Sequence, residues 1–192
     1  MNQIKRAITK YPVLDIIKNR WSPRSFSTKA ISDESMQTIL EAATWSFSSM
    51  NEQPWRFVVA QRGTDLFNSF HDTLFPGNQP WNKNAAAFIL SIKKKNIGDT
   101  EKPNGIALHD VGAANMLLTL QANSMGIYTH LIGGFAKDKV AEMLKLDETL
   151  EPVVLIALGY PDDAEKLDEP FKSREIEPRK RIAVDELILA KN

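Results

Sequence analysis

Apolar positions along the chain recur with two different periods, and the change from one to the other marks out the elements. Behind Ser32, Met36, Ile39, Leu40 and Ala43 repeat at steps of three and four, which predicts a capped amphipathic helix running to about Trp45. The stretch Trp55 to Gln61 is short, aromatic and β-branched, and it stops before Arg62-Gly63, so it predicts a buried strand. Thr64 is placed to cap a short helix carrying Leu66, Phe67 and Phe70. A Pro- and Gly-marked loop around Asn78-Gln79-Pro80 then leads to a second strand, Ala86 to Ile92, with Lys93, Lys94 and Lys95 as a solvated edge.

From Asn104 to Met125, Val111, Ala114, Leu117, Leu118 and Leu120 face different directions on a helical wheel, which predicts a central buried helix. Gly112 and Ala113 would let neighbours approach it closely. Gly126 ends that helix, and Ile127 to Ile132 form a third strand running into Gly133-Gly134-Phe135. A helix from Lys137 to Leu146 leads to a fourth strand, Val153 to Tyr160. The segment from Pro161 to Pro178 is acidic and Pro-broken, after which Arg179-Lys180-Arg181 restores basic charge before an apolar tail, Val184 to Leu189, expected to dock on something. No repeat or low-complexity tract interrupts this α+β pattern of about four strands among helices.

Composition narrows the chemistry. At 192 residues and 43% hydrophobic, the chain suits one well-cored domain. Lys and Arg number 24 and Asp and Glu 24, so no net charge draws it to nucleic acid or an anionic membrane. Without cysteine there is no disulfide, thiolate metal site, iron-sulfur cluster or cysteine nucleophile. The first residues lack the pattern of a secretory signal, and the apolar runs fall well short of the ~20 residues of a membrane span, so a cytoplasmic protein is expected. His71, His109 and His130 are too scattered for a metal site: His71 is expected exposed on its helix, and the other two satisfied by hydrogen bonds. No GxGxxG, GxxxxGK or GxSxG motif is present.

Two stretches carry candidate chemistry. Arg20-Trp21-Ser22-Pro23-Arg24-Ser25 sets two arginines four apart around hydroxyls, at the boundary of a short helix and a turn. Guanidinium forks and hydroxyls bind phosphate, although the same residues also suit a solvated turn. Ser48-Ser49-Met50-Asn51-Glu52-Gln53-Pro54-Trp55 places amides and hydroxyls between a helix and a strand. Such groups match the alternating donors and acceptors of a flavin or purine edge, and they are also ordinary turn formers.

Taken in order with Asn78-Gln79, with Asp110, Gly112 and Asn115 on the long helix, with Gly133-Gly134 and with the basic tail, these stretches resemble the FMN-dependent nitroreductase family over nearly the whole chain. The resemblance implies a central, mostly antiparallel sheet of four to five strands flanked by helices, in an intertwined homodimer with two FMN sites at its interface. Residues 179–192 would form an arm docked on the partner subunit. It implies that Arg20, Ser22, Arg179 and Arg181 hold the FMN phosphate, that Arg24 lies near the pyrimidine end, where a cation stabilises reduced flavin, and that Asn78 bonds the pyrimidine. Gly133 and Gly134 would pass close to the ring, where the absence of a side chain permits the approach. Ser48, Ser49, Met50, Asn51 and Gln53 would contact the flavin held mainly by the other subunit, and Trp21 and Ile132 complete the expected set.

Trp21 stands where the family is commonly basic, and Phe47 where a proline often precedes the serines, near surfaces that set substrate preference. The implied activity is NAD(P)H-dependent reduction of nitroaromatics, quinones or similar acceptors by alternating hydride transfers, with NADPH or NADH as donor and no obligate side-chain acid or base. Two rivals remain at this point: another flavin chemistry on the same fold, with residues 93–105 and 161–178 as candidate lids, and a non-catalytic nucleotide-binding module.

Overall fold

Strict alternation of side chains sends each strand's residues to opposite faces of one sheet and so creates two cores. The computed structural model describes residues 3–190. In chain order the elements are α1 (Asp15–Asn19), α2 (Asp33–Thr44), β1 (Trp55–Gln61), α3 (Asp65–Thr73), α4 (Gln79–Asn82), β2 (Ala87–Lys94), α5 (Ala107–Ser124), β3 (Tyr128–Ile132), α6 (Lys137–Met143), β4 (Leu150–Gly159), α7 (Phe171–Ile176) and α8 (Val184–Leu187). The sheet has four strands in the order β1-β2-β4-β3, with every pairing antiparallel.

Phe88, Leu90 and Ile92 of β2, with Leu155 and Ala157 of β4, face Phe67 and Phe70 of α3, Trp81 of α4 and Val140 of α6. Ala87 and Ile89, with Ile156 and Leu158, face Met36, Ile39 and Ala43 of α2 and Val111, Ala114, Leu118 and Ala122 of α5. The result is an α+β fold of helices on both sides of an antiparallel sheet. Among the described residues, no helix is long and apolar enough to cross a membrane.

Local signals worked where side chains speak to their own backbone. Ser32 accepts from Ser35 N–H and Thr64 from Phe67 N–H, as N-caps should. Differences arise where tertiary context decides. β2 lies between two strands, so Lys93 and Lys94 are not a solvated edge. They are half-buried and paired, Lys93 with Glu151 at 3.1 Å and Lys94 with Asp99 at 2.9 Å. β4 begins at Leu150 because Pro152, which reads as a strand breaker, lies at the bulge where the register shifts between Ser91 and Ile92. The Asn78 loop contains the short helix α4, and α6 stops at Met143.

Helix α5 is not buried all round. Leu108 and Met116 are 56% and 50% exposed, and Gly112 between them has nothing within 4 Å of where a Cβ would stand, so within one chain nothing approaches it. The apolar tail is also uncovered, with Ile182, Val184, Leu187 and Leu189 all exposed.

Gly159 closes β4 against Phe26, and a Cβ there would lie 2.7 Å from the Phe26 ring, which is itself buried. A packed aromatic ring cannot step aside as a flexible tip can. Gly159→Ala is therefore expected to cost about 1–3 kcal/mol in urea denaturation.

Candidate functional site

The end of α1 brings the first cluster together. Arg20 is the C-cap of α1 and is half-buried, and its guanidinium has no hydrogen-bond or ion-pair partner among the described residues. Arg179 and Arg181 arrive beside it from the C-terminal segment. Burial, and then the nearby Arg181, push the Arg20 guanidinium below its ordinary pKa; burial, Arg20 and Arg181 do the same to Arg179. No carboxylate pairs with any of the three among the described residues. Arg179 is held in place by donating to the carbonyls of Lys18 at 2.9 Å and Lys5 at 3.2 Å, so this part of the tail is fastened to its own chain. The Ser22 hydroxyl, half-buried two residues on, likewise has no partner among the described residues.

A second cluster lies where β3, α4 and the turn after α1 meet. The Arg24 guanidinium sits 5.7 Å from the centre of the Trp81 ring, and His130 packs on the same ring at 4.4 Å. His130 Nδ1 carries a proton, because it lies 2.9 Å from the Pro23 carbonyl, which can only accept. Asn78, the N-cap of α4, donates from Nδ2 to the Gly134 carbonyl at 3.1 Å. A Cβ on Gly134 would stand 2.7 Å from that Nδ2, so the amide occupies space that only glycine leaves free. Gly133 beside it is exposed, with open space around its α-carbon. Ile132, the last residue of β3, is 3% exposed and belongs to the core. Trp21 is 8% exposed; its ring meets Tyr128 edge-on at 6.1 Å and carries Lys5 Nζ at 5.3 Å, so it offers a ligand its backbone and not its indole.

The Ser48–Gln53 loop stands apart: among the described residues no hydrogen bond, ion pair or ring contact joins it to either cluster. Its shape is nonetheless imposed. Met50, Asn51 and Gln53 have φ of 50, 57 and 47°, a left-handed conformation that costs non-glycine residues energy. Asp110, buried in the first turns of α5, accepts from Ser49 N–H at 2.9 Å, and the Ser48 hydroxyl accepts from Gln53 N–H at 3.1 Å. Asn51, Met50 and Gln53 are exposed on its outer side.

Two residues absent from the sequence-derived set hold the clusters. Glu175 of α7, 2% exposed, accepts the backbone N–H groups of Arg24 and Ser25. Lys5 donates to the carbonyls of Arg174 and Glu177 on either side of it. An acidic, Pro-broken stretch gives no sign that one of its carboxylates turns inward. The other histidines meet hydrogen-bond partners: His109 Nδ1 donates to Asp110 at 3.1 Å, and His71, half-buried where exposure was expected, lies 3.0 Å from the Gln79 carbonyl.

Burial, opposed in part by the Pro23 carbonyl, lowers the His130 pKa to about 4, so the ring is neutral in the folded protein at neutral pH. The unfolded chain takes up that proton near its ordinary value of 6.5. Stability from this site is therefore complete above pH 6.5 and lost as the pH falls toward 4, by up to about 3 kcal/mol. Urea denaturation at pH 7 and pH 4.5 is expected to show this loss, and His130→Gln to reduce it.

Comparison with known proteins adds to this geometry. The profile of the Nitroreductase family matches residues 17–160. A crystal structure of an oxidoreductase containing FMN superposes with a TM-score of 0.91 at 33% identity, covering 96% of this chain and 94% of that one. A candidate nitroreductase from Desulfovibrio desulfuricans, solved in complex with FMN, superposes with a TM-score of 0.76 at 25% identity over 96% of this chain and 99% of its own. A candidate NAD(P)H nitroreductase of Bacillus subtilis is 30% identical over 78% of this chain and 88% of its own.

Proposed function

The chain belongs to the nitroreductase family, and from that premise we infer an FMN-dependent NAD(P)H oxidoreductase whose cofactor spans the two clusters. The observation that carries this reading is the half-buried Arg20 guanidinium, left without a partner among the described residues and joined by Arg179 and Arg181. Like charges gathered with no carboxylate are costly in the empty protein and are relieved by a dianion. A phosphate terminus fits that donor set, with the free Ser22 hydroxyl as a further donor.

At the other end, Arg24 supplies a fixed positive charge for the pyrimidine side of the ring, where the reduced cofactor is anionic. Asn78 leaves its Oδ1 to accept from a ligand N–H while Nδ2 is engaged with Gly134. Gly133, open at its α-carbon, lets a flat ring lie against the backbone. When bound, FMN supplies the redox chemistry, taking a hydride from NAD(P)H and passing electrons to an electron-poor acceptor. The chain orients the cofactor, places charge and shapes the slot; the reading assigns no side-chain nucleophile, acid or base.

We place the Ser48–Gln53 loop at the cofactor of a second copy, which makes the homodimer the working unit. Its strained conformation, fixed by Asp110 while Met50 and Asn51 face outward, supports this, as do the uncovered stripe Leu108, Gly112 and Met116 on α5 and the uncovered tail. Of the proposed arm, residues 179–192, Arg179 stays fastened to its own chain while the residues beyond it would reach the partner, 191 and 192 lying outside the described residues. Nitroaromatics and quinones are the proposed acceptors and the cytoplasm the proposed compartment. Initial rates of NAD(P)H oxidation at several quinone concentrations should give parallel double-reciprocal lines, as when donor and acceptor use one slot in turn; intersecting lines would contradict it.

A further inference from the structure

Glu175 contributes a carboxylate to the site without facing any ligand. It is 2% exposed and projects from α7, in a stretch that sequence alone marks only as a candidate lid. Its Oε1 accepts from both Arg24 N–H at 2.9 Å and Ser25 N–H at 3.0 Å, and Oε2 lies 3.1 Å from the same Arg24 nitrogen. Lys5 braces the turn from behind by donating to the carbonyls of Arg174 at 2.7 Å and Glu177 at 2.6 Å. On the opposite side of the loop, His130 holds the Pro23 carbonyl and Trp81 carries the guanidinium on its face. The Arg24 backbone is thus gripped from α7 and its side chain laid against α4.

No ion pair forms between Glu175 and the Arg24 guanidinium among the described residues, so the carboxylate acts through the main chain and through space. Burial lowers the pKa of Arg24 and of Lys5, the two cations that face it, and the Glu175 charge opposes that shift in both; burial raises the pKa of Glu175 itself, opposed by the Ser25 and Arg24 N–H groups and by the same two cations. A negative charge held behind Arg24 also offsets part of the field that Arg24 projects forward.

Resting on the FMN reading above, we propose that Glu175 is a positioning residue that fixes Arg24 against the cofactor and, by its charge, sets how strongly the site favours reduced over oxidised flavin. The two effects are separable. Glu175→Gln keeps an oxygen able to accept both N–H groups, because Oε1 alone reaches both; it removes the charge and gives up the Oε2 contact at 3.1 Å to the Arg24 nitrogen, where an NH2 cannot accept. Arg24 then acts undiminished, and the anionic reduced form gains.

The test measures FMN dissociation constants in the oxidised and the dithionite-reduced state for the full chain, for Glu175→Gln, for Arg24→Met and for the double variant. In Glu175→Gln the oxidised-to-reduced ratio is expected to rise about tenfold, equivalent to about 30 mV for a two-electron couple. In the Arg24→Met background, where the ratio starts lower, the same substitution is expected to raise it by a similar factor, because the two charges act on the flavin additively. An unchanged ratio in Glu175→Gln, a shift that vanishes once Arg24 is absent, or equal weakening of both redox forms would each overturn the proposal. Should the unaltered protein fail to bind FMN, the cofactor reading itself falls; FMN binding with an unmoved ratio sinks only the role of Glu175.

Discussion

Arg20→Ala is expected to weaken FMN binding by roughly 30- to 150-fold while making the cofactor-free protein no less stable. The affinity loss follows from removing a charge-assisted contact of about 2–3 kcal/mol to the phosphate. The stability result is the more diagnostic half. The Arg20 guanidinium makes no hydrogen bond or ion pair among the described residues, and its charge is disfavoured by burial and by Arg181, so deleting it relieves repulsion among the arginines and breaks no side-chain hydrogen bond there. Stability and function oppose each other here, as expected of a site arranged for a ligand. Arg20→Lys keeps the charge but not the planar fork, and should fall between the two. Equilibrium dialysis with FMN beside thermal unfolding of the apoprotein reads both halves; an arginine serving only the fold would show lost stability with unchanged affinity.

The second large effect is expected at α5. Leu108, Gly112 and Met116 follow one another at helical steps of four on an exposed face, and Gly112 has open space where a side chain would begin. The side chain of Gly112→Arg starts into space with nothing within 4 Å of its Cβ among the described residues, and replacing glycine in a helix interior favours that helix by about 0.5–1 kcal/mol. Against a second copy, the same arginine would be driven into the place of closest approach. The variant is therefore expected to keep its circular dichroism and melt no lower, yet to elute as a monomer and lose FMN, because the Ser48–Gln53 loop then reaches no second site. Light scattering with the flavin absorbance of the eluted peak decides it. A Gly112→Arg dimer with full flavin would show that this face is not the interface.

Much of the fold was legible because its signals are local. The Trp55–Gln61 strand matches residue for residue, and Ser32 and Thr64 cap the helices they precede. What escaped depends on partners distant in sequence. The fourth strand reads as starting at Val153 until the bulge that seats Pro152 opposite Ile92 is seen, and the lysines ending β2 read as an edge until β4 is laid beside it. Helix α5 reads as buried all round because its exposed stripe is as apolar as its core face.

The site divides in the same way. Arg20, Ser22, Arg24, Asn78 and the glycine pair carry their chemistry in their residue types, and resemblance to a family supplied the order that joins them. Glu175 and Lys5 carry no such mark, since an acidic residue in a polar segment looks solvated until its 2% exposure is known. The left-handed turn at Met50, Asn51 and Gln53 is also unannounced, for no glycine stands there to signal it.

The central claim is that the two clusters hold one flavin that accepts electrons from a nicotinamide donor. Its most direct test is the visible spectrum of protein reconstituted with FMN, desalted, and then given NADPH or NADH without oxygen. A flavin band that survives desalting and bleaches with at least one donor is the expected result. A band that washes out, or stays oxidised with both donors, would contradict it.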